Sequence, residues 1–443
     1  MDKQRRGACP GLVNPMATGD GLLARLTPTA PIPIQSFHEL CLASERNGNG
    51  ILEITQRGSL QIRGLTVESA PVFARTVALL GLEEMHAVPV FTSPLLGLSV
   101  HGAPDLRGLI AALRDELADR RSLASLSPKV SVLIDDGGAL HLDGLTADIR
   151  LTMTASHLQV SIGGTANTAA RLGVISICDA VAVVTRLLEC IALRGETART
   201  SGFRSVEDAQ ALRVVVAEFL SNDAPPLTSR PRAEALAVHQ LNDGQVARGF
   251  ALPFGHATAG ALLRFTRAAA ACGAVSIRPA PDRAFLVIGL PHTSAEQLVP
   301  IAAEEGFIVN PADPRRQVVA CAGAPACASA TLSTRQLAPA VAEAAGSLLD
   351  GSLTVHLSGC TKGCAHPDPA AITIIGPHNV TLHGRAGDAP QATISPSRLL
   401  AGLKRINAAR LRDRQADETS VDTLLRMGTT RVLEILSGGT PLA

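Results

Sequence analysis

Tryptophan and tyrosine are absent from the 443 residues, and only 10 phenylalanines remain. Stacking surfaces for single-stranded nucleic acid rely on aromatic side chains, so this shortage argues against such a role. An excess of charge of one sign is missing as well: 40 Lys and Arg stand against 39 Asp and Glu, a formal net charge of +1. No bulk attraction to nucleic acid follows, although a local basic cluster could hold a small polyanion. Long uncharged apolar runs are lacking too. The most apolar stretch, VISICDAVAVVTRLLECIAL, is cut by Asp179, Arg186 and Glu189 and reads as a buried amphipathic helix, not a membrane span. The opening MDKQRRGACPGLVNPM has no apolar segment behind its charges, unlike a secretory signal. No G-x-G-x-x-G follows a candidate strand, so a dinucleotide fingerprint is absent. A cytoplasmic location is expected, where clustered cysteines more often bind metal or do redox work than form disulfides.

What is present is a sequence written twice. GDGLLARLTP (19–28) lies beside NDGQVARGFA (242–251), and ILEITQRGSLQIRGL (51–65) beside VSIRPAPDRAFLVIGL (275–290). Further on, PKVSVLIDDGG (128–138) falls on SLTVHLSGCTKG (352–363), the offset staying between 223 and 225. Each copy opens with an alternating strand, then a helix, two strands joined by a turn, and a second helix. That is an α+β unit of about 75 residues. A longer α/β segment follows, with KVSVLID or LTVHLSG as its alternating strand. The proline-bearing stretch 219–236 is expected to be the linker between copies. Two related halves pack about a pseudo-twofold axis, and the crevice between them is a natural ligand site.

Four of the nine cysteines fall in the second copy as C-x5-C (Cys321, Cys327), a gap of 32 residues, then C-x3-C (Cys360, Cys364). Their expected counterparts in the first copy, around LGLSVHGAPDL and LIDDGGAL, hold no cysteine. Small residues and proline around the thiols let thiolates converge, and two pairs match the all-cysteine ligation of a [4Fe–4S] cluster. Structural zinc favours pairs two to four residues apart, so C-x5-C fits it less well. A disulfide pair and four independent core thiols are the remaining alternatives. Cys41, Cys178, Cys190 and Cys272 lie in apolar helical stretches and are expected to be small core residues. Cys9 has no assigned role.

This cysteine pattern, in the second half of a duplicated chain, resembles the sirohaem-dependent sulfite and nitrite reductase superfamily. The resemblance implies an α+β nitrite/sulfite reductase-like fold: two ferredoxin-like half domains and two α/β domains about a pseudo-twofold. Along the chain these are expected at 15–90 (first half domain), 91–218 (α/β domain without a cluster), 219–236 (linker), 237–310 (second half domain) and 311–443 (the [4Fe–4S] domain). In that superfamily the last cysteine, here Cys364, also bridges cluster and sirohaem iron. ITQRGSLQIRG is similar to a strand bearing an anion-binding arginine, at Arg57, and LSPKVSV to a basic strand, at Lys129. Two departures point away from the reductases themselves. Ser131 stands where they carry a second lysine, and Thr361 and Lys362 stand where they carry Pro-Asn. SGCTKGCAHP, with RRGACPGLVNPMATGDGLLARL, closely resembles the precorrin-3B synthases of aerobic cobalamin biosynthesis.

That resemblance implies an oxygenase acting on precorrin-3A: hydroxylation at C20 with O2, and closure of a ring-A acetate into a γ-lactone. It also implies a [4Fe–4S] centre, a second iron that is either sirohaem-like or mononuclear non-haem, and a separate electron donor, a reductase or ferredoxin drawing ultimately on NADH. Neither nucleic acid nor membrane is an expected partner. Cys321, Cys327, Cys360 and Cys364 are the expected cluster ligands. A tetrapyrrole rimmed by carboxylates calls for Arg and Lys side chains, and Arg25, Arg57, Arg63 and Lys129 are the expected substrate contacts. Arg57 and Arg63, six apart, are expected to share a face of one strand. Lys362 and His366 could tune the cluster by donating to its sulfur. The competing functions are a sirohaem reductase of sulfite or nitrite, and a non-catalytic protein stapled by a cluster or zinc.

Overall fold

The computed structural model describes residues 10–82, 88–100, 106–118, 120–195, 198–200, 206–221 and 230–439. Cys9 lies outside them. The first copy opens with β1 (Met16–Thr18), β2 (Gly21–Leu26), β3 (Ile32–Pro33), α1 (Ile34–Asn47), β4 (Ile51–Ile54), β5 (Leu60–Leu65) and α2 (Ser69–Leu79). It continues through β6 (Val90–Thr92), α3 (Arg107–Ala118), β7 (Val132–Asp135), β8 (Ile149–Met153), β9 (Leu158–Ile162), β10 (Ala170–Ile175), α4 (Ala180–Ala192) and α5 (Val206–Val215). The second copy repeats the opening as β11 (Val238–Gln240), β12 (Val246–Ala251), β13 (His256–Thr258), α6 (Ala259–Ala271), β14 (Ser276–Ala280), β15 (Ala284–Leu290) and α7 (His292–Glu304). It closes with β16 (Val318–Ala320), α8 (Thr334–Ala345), β17 (Val355–Ser358), β18 (Ala370–Ile375), β19 (Asn379–Gly384), β20 (Ala392–Thr393), α9 (Pro396–Asp413), α10 (Ser420–Met427) and α11 (Thr429–Ser437).

Among the described residues these strands form four five-stranded sheets, two per copy. The α/β sheets share one topology. Strands β6, β7 and β8 run parallel, then β9 and β10 turn antiparallel; β16, β17, β18, β19 and β20 repeat this. Val132 of β7 and Val355 of β17 occupy matching register positions, which carries the sequence offset into the backbone. The half-domain sheets are less separable than the sequence suggests. Strand β3 of the first copy pairs with β14 of the second, and β13 of the second pairs with β4 of the first. Each small sheet is therefore completed by the other copy.

Helical periodicity explains the shared core beneath these sheets. In α1 the buried Phe37, Leu40, Cys41 and Ser44 follow the i, i+3, i+4, i+7 rule, and in α6 Leu262, Phe265, Thr266 and Ala269 repeat it. Thr258 caps α6 by accepting from the Ala261 amide at 3.2 Å. The two helices bury one apolar cluster in which Phe37 and Phe73 join Phe250, Phe265, Phe285 and Phe307. Each α/β domain has its own core. The apolar run VISICDAVAVVTRLLECIAL is not one helix. Its first residues finish β10 at Ile175, and α4 starts at Ala180 after a short turn. Cys178 sits in that turn and is exposed, a correction to its expected core position, while Cys41 is buried. Among the described residues no helix is long and apolar enough to cross a membrane.

The segment expected to be the linker lies partly outside the described residues, and its described part makes several ion pairs. Arg230 bridges Asp135 and Asp143, Arg232 pairs with Asp282, and Glu234 pairs with Arg316. It therefore straps the first α/β domain to both parts of the second copy.

Candidate functional site

The thiols emerge from two neighbouring strand ends. Cys321 directly follows β16, Cys360 follows β17 by two residues, and these two strands pair in parallel. Parallel neighbours end at the same edge of a sheet, so the loops behind them meet. The Gly359 amide donates to Cys321 Sγ at 3.1 Å, joining the two loops at the first thiol. Thr334, opening α8, donates from Oγ1 to the Cys321 carbonyl at 2.6 Å. In the same loop the Cys327 amide donates to Gly323 O at 2.8 Å. Across the gap, Lys362 Nζ donates to Ser329 Oγ at 3.1 Å.

Burial raises the Cys364 thiol above its ordinary range, and the adjoining Cys360, Cys321 and Cys327 add to the rise. The four groups thus share one electrostatic environment, in which a positive ligand would favour the Cys364 thiolate. A tetrahedral zinc with Zn–S near 2.3 Å would bring its sulfurs to about 3.8 Å from each other. Among the described residues, the set of three or more candidate ligands with donor atoms within 4.8 Å of one another is Asp135, His141 and Asp143; the thiols do not form one. No three of them bring their sulfurs within 4.8 Å of one another, and backbone amides such as Gly359 N supply polar donors to sulfur. The Asp135 set is occupied differently. Arg230 Nη2 lies 2.9 Å from Asp135 Oδ2, and Arg230 Nε lies 2.9 Å from Asp143 Oδ2, so a guanidinium already neutralises it.

The first copy retains the frame of this site without the thiols. The Ser93 amide donates to Ile134 O at 3.2 Å as the Cys321 amide donates to Leu357 O at 3.2 Å. Ser93 Oγ accepts from Asp136 N at 3.1 Å, just as Cys321 Sγ accepts from Gly359 N. Ser93 is therefore the counterpart of Cys321, upstream of the LGLSVHGAPDL stretch where the sequence comparison seeks it. The connection from α2 to β6 is shorter than that from α7 to β16, which moves the match out of register. Beyond Ser93 come Asp135 and Asp136, both buried, where the second copy carries Ser358 and Gly359.

The basic residues divide into different settings. Arg57 is not on a strand with Arg63. The stretch from Thr55 to Ser59 forms the β4–β5 turn, closed by Thr55 N to Ser59 O at 2.9 Å, with Gly58 at φ 82°. From the turn, Arg57 donates to Thr146 Oγ1 at 2.9 Å and to Ser131 Oγ at 3.4 Å, and stacks on Phe91 at 5.0 Å. The structure thus joins Arg57 to Ser131, near the expected basic strand. Lys129, two residues earlier, is exposed. Arg25 lies on β2 opposite Gln61 of β5; with the Gln61 amide turned so that its oxygen faces Arg25, the two bond at 2.7 Å. Arg63 is 3% exposed; its Nε and Nη2 donate to both oxygens of Asp20 at 3.0 Å, and Nη2 donates to the Ala326 carbonyl as well.

Sequence reasoning overlooked two residues near the thiols. His356 on β17 is 0% exposed, and neither ring nitrogen has a hydrogen-bond partner among the described residues. Its ring meets that of His366 edge-on at 5.6 Å. A histidine between Val355 and Leu357 in the strand VHLS was the available signal. Arg283, at the β14–β15 turn, donates to Ala365 O at 3.2 Å, beside Cys364.

No protein-family model matches the chain. It is 36% identical over 437 residues to a precorrin-3B synthase of Sinorhizobium sp., covering 97% of this chain and 94% of that one. It is 25% identical over 409 residues to a ferredoxin–nitrite reductase of Synechococcus elongatus, covering 85% and 80%. Its fold is similar to that of the Mycobacterium tuberculosis NirA protein, with a TM-score of 0.74, 20% identity, and 91% and 83% of the two chains covered. The duplicated scaffold is thus common to these proteins, while the level and extent of identity to the synthase decide the assignment: the chain belongs to the precorrin-3B synthase family.

Proposed function

We propose that this chain converts precorrin-3A to precorrin-3B, hydroxylating C20 with O2 while a ring-A acetate closes a γ-lactone. Nearly full-length kinship with a precorrin-3B synthase carries this choice over sulfite or nitrite reduction. One oxygen atom enters the product and the other leaves as water, which takes two electrons and two protons from a separate donor. A reductase or ferredoxin, ultimately fed by NADH, fills that role.

Cys321, Cys327, Cys360 and Cys364 are assigned to a [4Fe–4S] cluster, a reading supported by the paired loops that carry them and by their common electrostatic environment. A second iron, sirohaem-like or mononuclear non-haem, belongs to the same reading. Bound iron groups supply the electron transfer and oxygen activation that side chains do not provide unaided. The chain's own residues bind and orient. Lys129 offers an exposed charge to a substrate carboxylate, and Arg57, held by Thr146 and Phe91, offers a fixed one. Arg25 is the third candidate, aligned by Gln61.

The test is incubation of anaerobically purified protein with precorrin-3A and a reductant, followed by labelled O2. One labelled atom in a hydroxylated, lactone-bearing product is expected. No labelled product, together with a bound sirohaem and turnover of sulfite or nitrite, would replace this reading with the reductase one.

A further inference from the structure

We propose that Arg63, with Asp20, is a positioning residue that sets the place of Cys327 from the opposite half of the molecule. This rests on the assignment of the four thiols to an iron–sulfur group and adds a role for the first copy in holding it. Arg63 lies on β5 of the first copy, far from the thiols in sequence. Its Nε and Nη2 bind both oxygens of Asp20 at 3.0 Å, and Nη2 also donates to the carbonyl of Ala326, the residue before Cys327. The Gly19 amide donates to the same carbonyl at 3.1 Å. The backbones are in such close contact that a Cβ on Gly19 would stand 2.1 Å from the Pro325 oxygen, so only glycine fits there. One carbonyl of the thiol loop is thus gripped by two donors of the β1–β2 and β5 surface.

The other end of the loop is held by the same surface. Arg63 Nη1 lies 3.5 Å from Glu53 Oε1, and Glu53 pairs with Arg335 in the first turn of α8. Arg335 follows Thr334, which binds the Cys321 carbonyl at 2.6 Å. The chain Asp20–Arg63–Glu53–Arg335 therefore brackets Cys321 through Cys327 and carries two positive and two negative charges. At 3% exposure, with Nε and Nη2 bonded inside the protein and Nη1 facing Glu53, the guanidinium is turned away from solvent. Its geometry serves the loop, as groups behind the ligands commonly fix the ligands themselves.

Arg63→Met removes the grip and leaves an uncompensated negative charge beside the thiols. Arg63→Lys keeps the charge and loses the fork. Asp20→Asn keeps the guanidinium and weakens its anchor. Iron and sulfide per chain, the midpoint potential and the spin-resonance signature of the reduced protein are measured without substrate, with thermal melting alongside. Arg63→Met is expected to lose iron in air roughly 10-fold faster than the wild type, with a more negative potential and altered signature. Arg63→Lys should restore most of the potential but not the retention, and Asp20→Asn should lose iron at an intermediate rate. If Arg63→Met does not fold, the other two variants carry the comparison. Unchanged retention, potential and signature in the variants, with weaker tetrapyrrole binding, would overturn the proposal and make Arg63 a substrate contact. A wild-type protein devoid of iron and sulfide would overturn the cluster reading and this inference together.

Discussion

Arg57 and Arg283 stand at the tips of equivalent hairpins and point to opposite α/β domains. Arg57 reaches Thr146 Oγ1 at 2.9 Å in the first domain; Arg283 reaches the Ala365 carbonyl at 3.2 Å in the thiol loop of the second. Between them the hairpins touch directly: Asp282 N donates to Gln56 O at 3.1 Å, and Arg283 Nη1 donates to Gln56 Oε1 at 2.6 Å. The two turns thus meet, and one arginine from each reaches the α/β domain of its own copy.

Replacing Arg283 by Met should therefore loosen the thiol loop. Two charge-assisted hydrogen bonds disappear and the Ala365 carbonyl loses its donor, a loss of about 2 kcal/mol. Thermal melting and the reactivity of Cys364 toward an alkylating reagent check this. Equal melting temperatures and equal alkylation rates would show that the contact contributes nothing.

Cys364→Ser should abolish or sharply reduce bound iron and sulfide, because a hydroxyl replaces one of four thiolates. The reciprocal change, Ser93→Cys, should leave iron per chain as it was. It places a thiol at the matching position of the first copy, but the two loops there carry no other cysteine. Iron and sulfide analysis of both variants decides the matter.

His356 should make the protein sensitive to mild acid. Burial holds its imidazole neutral, with His366 and Arg283 adding to the effect, and its pKa is pushed down from 6.5 to about 4. Between those values the unfolded chain binds a proton that the folded chain refuses. Stability is then fully present above about pH 6.5 and falls as pH drops toward 4, by about 3 kcal/mol in total. Denaturant unfolding of His356→Phe across this window should show a flatter profile than the wild type; parallel curves would remove His356 as the cause.

Lys129→Ala should weaken precorrin-3A binding about 10-fold while leaving iron content and melting unchanged, since the side chain is exposed and a single charged contact is at stake. Binding measured by tetrapyrrole absorbance tests this directly, and undiminished affinity would take Lys129 out of the site.

Much of this molecule is legible along the chain because its signals are local. Apolar residues at helical spacing announce α1 and α6, and the offset between copies survives in the register of β7 and β17. The thiols are visible as a pattern because two short loops carry them. Other features depend on distant partners and leave no local trace. The turn at Thr55–Ser59 breaks the strand that Arg57 and Arg63 were expected to share, because Gly58 takes a positive φ there. Cys178 falls in a turn between β10 and α4 that hydrophobicity alone does not reveal.

Sequence by itself determined that the chain is a duplicated α+β protein with four clustered cysteines in one copy only, and it narrowed the family through the residues between Cys360 and Cys364. Tertiary structure decided how the copies are joined and where each basic residue sits. Strands β3 and β13 cross between the halves, Ser93 takes the place of Cys321, and Arg63 turns inward to the thiol loop while Lys129 remains exposed. The physical reason is that backbone periodicity is encoded by neighbours in the chain, whereas hydrogen bonding and burial depend on which remote surface arrives opposite each side chain.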